Sequence, residues 1–237
     1  MLRNVNFDVR QGEIVSLIGE SGCGKTTLLR VIQGLIRLDS GTVLVDDRPI
    51  DGPGRDRGFI FQQASLLPWR SARRNVEFGL ELHGIPRADR STRAMQLLEL
   101  VGLAHAADQY PHQLSGGMQQ RVGLARALAV DPAILLMDEP FSALDAQTRE
   151  LLQIELMHIH EKTAKTTLFV THDLDEAIYL SDRVVVLAAK PGRVKQIIEV
   201  PFQHPRLELA ELRSDARFQE IRREMWHLIR APAPVAA

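Results

Sequence analysis

The chain has 237 residues, of which 45% are hydrophobic and 25% charged, with one cysteine and a formal net charge of −1. That balance argues against a general nucleic-acid binder, which would carry a basic excess, and a lone Cys23 excludes an internal disulfide and fits a reducing compartment. The opening MLRNVNFDVRQGE has no apolar signal-peptide core, and no apolar run approaches the length that spans a bilayer.

In chain order, alternation over Asn4 to Val9 predicts a strand with Val5, Phe7 and Val9 on one face, Phe7 toward the core. Gly12 to Ile18 reads as a turn and a buried strand, followed by a glycine-rich loop and a helix from Thr26 to Gln33, with Gly34 just past its end. Thr42 to Val45 and Arg57 to Phe61 are short strands, and Leu66 to Trp69 is a loop. From Ser71 to Val130 the pattern is helical. Ala94, Leu97, Leu98 and Val101 form one stripe, and Ser115 caps a helix that runs to Val130. Strands return at Ile134 to Met137, Thr167 to Val170 and Arg183 to Leu187, separated by helices at Ala146 to Glu161 and Asp173 to Leu180. Strands alternating with helices imply a mostly parallel α/β sheet with an inserted helical subdomain. The last residues, 231–237, are Ala/Pro-rich and expected to be disordered. His158 and His160 stand two apart, off a common helix face, and suggest no metal site.

Gly19-Glu20-Ser21-Gly22-Cys23-Gly24-Lys25-Thr26 satisfies the phosphate-loop pattern, with Thr27 next in the helix. Glycines let main-chain N–H groups turn inward around phosphate oxygens, and the helix start favours negative charge. Lys25 can reach the β- and γ-phosphates, and the Thr26 hydroxyl can ligate Mg²⁺. Cys23 fills an unspecified position of the pattern as a small loop residue. Ile134 to Met137 then delivers Asp138 and Glu139 to a strand end, Asp138 toward Mg²⁺ and Glu139 as general base.

Leu114-Ser115-Gly116-Gly117-Met118-Gln119-Gln120-Arg121 resembles the signature of the ABC ATPase family, with Met118 where glutamine is usual. The resemblance runs from about Leu2 to Leu228. It implies an α/β P-loop NTPase fold: a RecA-like core at 1–70 and 131–200, a helical subdomain at 71–130, and a helical tail at 201–230. It implies that Ser115, Gly116 and Gly117 face the γ-phosphate held by a second copy of the chain. Gln62 would be the glutamine that senses Mg²⁺ or the attacking water, Asp145 would lie in the loop crossing the dimer interface, and His172 would be the switch histidine. ATP and Mg²⁺ are the implied cofactors, with Lys25, Gln62, Glu139 and His172 catalytic and Thr26, Gln62 and Asp138 around the metal.

Family members carry an adenine-stacking aromatic well upstream of the phosphate loop. Phe7 is the only aromatic before Gly19, so the N-terminal β-region is expected to be shortened, more readily by a late start assignment than by gene truncation. Weaker ATP binding and lower stability would follow, with phosphate contacts kept. Asp51 to Gln62, Leu66 to Trp69, Pro205-Arg206, Phe218 and Trp226 resemble the nitrate/sulfonate/taurine importer branch. That branch implies two membrane permease subunits, an extracytoplasmic solute-binding protein, and a peripheral place on the cytoplasmic membrane face. The permease would dock near Leu66 to Arg74, against the alternative that Trp69 is loop packing. Two other functions stay open at this point: an ATPase acting on nucleic acid or ribosomes, and a hydrolysis-impaired ATP-binding module.

Overall fold

The computed structural model describes residues 2–206 and 208–230, so the expected disorder of 231–237 lies outside the described residues. The elements in chain order begin with β1 (Ile14–Gly19), α1 (Lys25–Ile32), β2 (Leu44–Val45), β3 (Arg48–Pro49) and β4 (Arg57–Ile60). Three helices follow, α2 (Ala72–Leu82), α3 (Arg87–Leu100) and α4 (Gly116–Ala129), then β5 (Ile134–Asp138) and α5 (Ala146–Thr163). The chain continues through β6 (Thr166–Val170), α6 (Leu174–Leu180), β7 (Arg183–Ala188) and β8 (Arg193–Glu199) to α7 (Leu209–Ser214) and α8 (Ala216–Arg230). The described residues up to 54 and from 164 onward make one compact unit, and 55–163 make the other.

In the first unit β1 is buried at all six positions and pairs in parallel with β6 on one side and β7 on the other. Burial on both faces is why its sequence is a continuous apolar run rather than an alternation. β8 pairs antiparallel to β7, with a register shift at Val186/Leu187. Its mostly half-exposed positions contrast with fully buried β7, as an edge strand allows. The segment 4–10 keeps the expected alternation, with Val5, Phe7 and Val9 half-buried and their neighbours exposed, yet forms no strand. What orders it is Arg183 on β7, which donates to the Asp8 carbonyl at 2.8 Å and pairs bidentately with buried Glu13. Phe7 is therefore half-buried against the unit, correcting its expected place in the core. Gly34, at φ +84, ends α1 where a Cβ would lie 2.2 Å from the Gly52 carbonyl carbon, so only glycine fits there.

The start of β1 depends on Asp182. Its Oδ2 accepts the Ile14 N–H at 2.8 Å, and its Oδ1 meets His204 Nε2 at 3.0 Å. Arg206 closes the same corner, donating to the carbonyls of Ser181 at 2.6 Å and Ile178 at 3.3 Å. At the far end α7 and α8 are held to α6 by Asp175, which takes Arg213 at 2.9 Å and Arg222 at 2.7 Å.

The second unit pairs β4 with β5 in parallel, Arg57 opposite Ile134 through Ile60 opposite Met137. Its helices α2, α3 and α4 pack on one another through Ala72, Val76, Leu80, Ala94, Leu97, Leu98 and Val122, all buried. Asn75 is fully buried on α2 and ties down the preceding loop. It accepts the Leu67 N–H at 2.8 Å and donates to the carbonyls of Leu67, Arg70 and Ser71 at 2.9–3.2 Å. No helix of the described residues is long and apolar enough to cross a membrane.

Asp182 generates a pH prediction. Burial raises its carboxyl, but hydrogen bonds from His204 and the Ile14 N–H, with Arg206 nearby, outweigh that and leave it below the usual 3.8. A depressed carboxyl stabilises the fold above its unfolded value, and that contribution is lost as pH falls through the folded value. Urea unfolding of Asp182→Asn should lose less stability than the parent chain between about pH 6 and pH 3. Parallel losses in both proteins would contradict the assignment.

Candidate nucleotide site

In the first unit the glycine loop joins the end of β1 to the start of α1. A Cβ on Gly19, at φ +155, would sit 2.5 Å from the Leu187 carbonyl oxygen, so the turn out of the sheet requires glycine. Lys25 is buried and its Nζ folds back into the loop, donating to the carbonyls of Gly19 at 2.8 Å and Glu20 at 3.1 Å, with buried Cys23 Sγ at 3.9 Å. Glu20, Ser21 and Gly22 are exposed, and Gly24, Thr26 and Thr27 are half-buried. Gly24, at φ +104, precedes α1 as its N-cap and provides no side-chain cap. This glycine start contrasts with α2, α4 and α6, which the side chains of Ser71, Ser115 and Asp173 cap. An uncapped helix start beside a buried ammonium fits a polyphosphate.

His172 stands exposed in the same unit at the C-terminal end of β6. Its neighbours fix the loop: Thr171 Oγ1 accepts the Asp173 N–H at 3.0 Å, and Asp173 Oδ1 accepts those of Asp175 and Glu176 at 2.9 and 3.2 Å.

In the second unit β5 ends in half-buried Asp138 and Glu139. Glu139 adopts φ +48, a left-handed conformation rare for a side chain of its length and concentrated at functional turns. Ser142 holds that turn, its hydroxyl donating to the Glu139 carbonyl at 2.9 Å. The Gln62 amide nitrogen reaches Ser142 Oγ at 3.1 Å and Glu139 Oε2 at 3.5 Å. Two residues 77 apart in sequence, expected to act on one water molecule, are therefore neighbours.

The Ser115 end of α4 lies in this unit as well. Ser115 and Gly116 are exposed, and Ser115 Oγ accepts the Met118 N–H at 3.2 Å. Gly117 is buried against α5, where a Cβ would lie 2.5 Å from Thr148 Cγ2. Asp145 starts α5 by accepting the Thr148 N–H at 3.0 Å, a bond that also holds its carboxyl below the usual range. Arg121 on α4 pairs with Glu155 on α5 at 2.8 Å. Arg149 fastens the turn before α5, donating to the carbonyls of Phe141 at 3.3 Å and Leu144 at 2.9 Å. Trp69 is 70% exposed and edges a cleft of roughly 360 Å³ lined by Arg70, Arg73, Arg74, Glu77 and Arg90.

Of the expected site residues, the structure groups Gly19 through Thr27 in the first unit, and Gln62 with Glu139 and Ser115 through Gly117 with the start of α5 in the second. Asn75, Gln120, Arg126 and Arg149 were not singled out from the sequence. Gln120 carried a signal: it is a polar side chain on the buried stripe of α4 with Gly117 and Ala127, where an amide must find partners.

The chain matches the ABC transporter family over residues 2–142. It is 52% identical to an uncharacterised ABC transporter ATP-binding protein of Methanocaldococcus jannaschii, over 97% of this chain and 84% of that protein. It is 47% identical to the taurine import ATP-binding protein TauB of Rhizobium johnstonii, over 94% of this chain and 87% of that one. A dimeric ATP-binding cassette solved in a post-hydrolysis state with ADP and phosphate superposes with a TM-score of 0.73 at 36% identity, covering 85% of this chain and 91% of that chain. The chain belongs to the ABC transporter family, has the α/β P-loop fold of its cassettes, and is an ATP-binding ATPase.

The Gly117 contact predicts a paired result. Gly117→Ala forces its methyl onto Thr148 Cγ2 and should cost about 1–3 kcal/mol of stability, since overpacking shifts neighbouring atoms. Adding Thr148→Ser removes that methyl and should return most of the loss in a urea titration. If the double variant is as unstable as Gly117→Ala alone, the contact is not what excludes a side chain at 117.

Proposed function

We propose that this ATPase is the energy-supplying subunit of an importer: it hydrolyses MgATP between two copies of itself and couples closure of the pair to solute movement through two permease subunits. The observation that carries hydrolysis, rather than binding alone, is Glu139 at the end of buried β5 with the Gln62 amide 3.5 Å away. A carboxylate beside a neutral amide can accept a proton from a water while the amide orients it. In this reading Lys25 neutralises charge on the β- and γ-phosphates, and Gly19, Glu20, Ser21, Gly22, Cys23, Gly24, Thr26 and Thr27 enclose them. Ser115, Gly116 and Gly117 of the second copy close over the γ-phosphate, Asp145 lines the interface, and His172 contacts the γ-phosphate.

The donor set suits Mg²⁺: Thr26 supplies a hydroxyl oxygen, Gln62 an amide oxygen and Asp138 a carboxylate, all hard oxygen ligands. A bound Mg²⁺ would neutralise charge developing on the phosphates. The residues of this chain position the triphosphate, orient the water and hold its proton at Glu139.

Residues 71–130 would form the helical subdomain and 201–230 the C-terminal tail of this machine. The similarity to a taurine import protein supports the nitrate/sulfonate/taurine branch, with an extracytoplasmic solute-binding protein delivering solute and the ATPase pair bound peripherally at the cytoplasmic membrane face. Exposed Trp69 beside the arginine-lined cleft supports permease docking near Leu66 to Arg74.

Glu139→Gln should lower phosphate release by about 100-fold or more while leaving ATP binding intact. Size-exclusion chromatography with MgATP should then find the variant as a stable dimer. A variant that stays monomeric with MgATP and keeps full turnover would overturn the role given to Glu139.

A further inference from the structure

The loop that carries Gln62 has its main chain held at three carbonyls by one helix. Gln120, buried on α4, donates from Nε2 to the Phe61 carbonyl at 3.0 Å. Six residues on, Arg126 donates from Nη2 to the Ala64 carbonyl at 2.7 Å and from Nη1 to the Ser65 carbonyl at 2.9 Å. Ser65 sits at φ +46, a left-handed turn that a serine adopts at a cost, and its hydroxyl returns to the Gln63 carbonyl at 3.0 Å. Gln62 and Gln63 are thus suspended between two fastened points, and the Gln62 side chain emerges toward Ser142 and Glu139.

The choice of side chains matches the task. Two carbonyls from successive residues call for a planar fork of donors, which a guanidinium has and an ammonium lacks. Arg126 is half-buried, and burial lowers its pKa, so this cation gives up part of its water to bind main-chain oxygens. Such desolvation is compensated only while both carbonyls stay in reach, which makes the contact stiff. α4 is also the helix whose exposed start is Ser115.

We propose that Gln120 and Arg126 are positioning residues for hydrolysis: they brace the loop so that the Gln62 amide faces Glu139, and they tie that geometry to the helix that begins at Ser115. The proposal rests on the role given above to Gln62. It adds a route within one chain, running from the helix start that meets the partner's nucleotide, through Gln120 and Arg126, to Gln62 at the chain's own site.

Steady-state ATPase assays on Gln62→Ala, Arg126→Lys, Gln120→Leu and the double variants with Gln62→Ala test it, beside melting temperature and binding of a fluorescent ATP analogue. Arg126→Lys keeps the charge but cannot fork, and Gln120→Leu removes only the donor to Phe61. Each should lower kcat by about ten- to a hundredfold, the scale of a misplaced catalytic group, with nucleotide affinity changed less than about twofold. In the Gln62→Ala background neither should lower kcat further, because nothing is left to position. A purely structural role would give the same added loss in both backgrounds, together with a lower melting temperature, and would overturn the proposal. If Arg126→Lys does not fold, Gln120→Leu carries the same comparison. If Gln62→Ala alone leaves kcat unchanged, the role of Gln62 fails and the brace falls with it. If Gln62→Ala lowers kcat and the brace variants add to it in full, only the brace falls.

Discussion

A buried ammonium group with main-chain oxygens for partners is the constraint around which the candidate nucleotide site is arranged. Lys25 could not be placed inside the loop without acceptors, because an unpaired buried charge is among the costliest defects a fold can hold. Its donors reach the carbonyls of Gly19 and Glu20, and those carbonyls can face inward only because the chain leaves β1 through glycine. The same turn leaves α1 without a side-chain cap. A cation and a set of helix-start N–H groups are thereby directed at one place, and the parallel strands on either side of β1 keep it rigid. In the proposed reading, the polyphosphate is held by this backbone geometry together with Lys25.

A second constraint concerns α4. Its start is exposed and capped by Ser115, its first turn is pressed so closely on α5 that Gly117 admits no side chain, and its middle is fastened to the loop bearing Gln62. A helix held at several points along its length cannot shift at one end alone. In the proposed dimer, closing on the partner's phosphate and aligning the local base become parts of one rigid-body movement. The Arg121–Glu155 pair and the clamp of Arg149 on the turn before α5 extend that body to Asp145.

Much of this was legible in the residues. The buried strands, the glycine loop, the Ser115 cap and the carboxylates after β5 are local features, set by a few neighbouring residues whose physics is short-ranged. The nearness of Gln62 and Glu139 was implied only by motif order, since contact across 77 positions has no local signature. The edge strand β8 was missed because half-buried Lys195 and exposed Gln196 break its apolar pattern. The strand expected over Asn4 to Val9 failed for the opposite reason: its alternation is real, but alternation makes a strand only where a neighbouring strand accepts its hydrogen bonds. Asn75 and Arg126 were invisible because their partners are main-chain groups, which any sequence supplies.

The central claim is that one triphosphate is shared between Lys25 of one copy and Ser115 of another. Light-driven backbone cleavage with ADP and vanadate bound reads this directly, since vanadate takes the γ-phosphate position and cuts only the chain beside it. The account predicts two cuts, one in the loop from Gly19 to Thr26 and one at Ser115, with the second fading as dilution separates the copies. Cutting confined to the glycine loop at every protein concentration would contradict it.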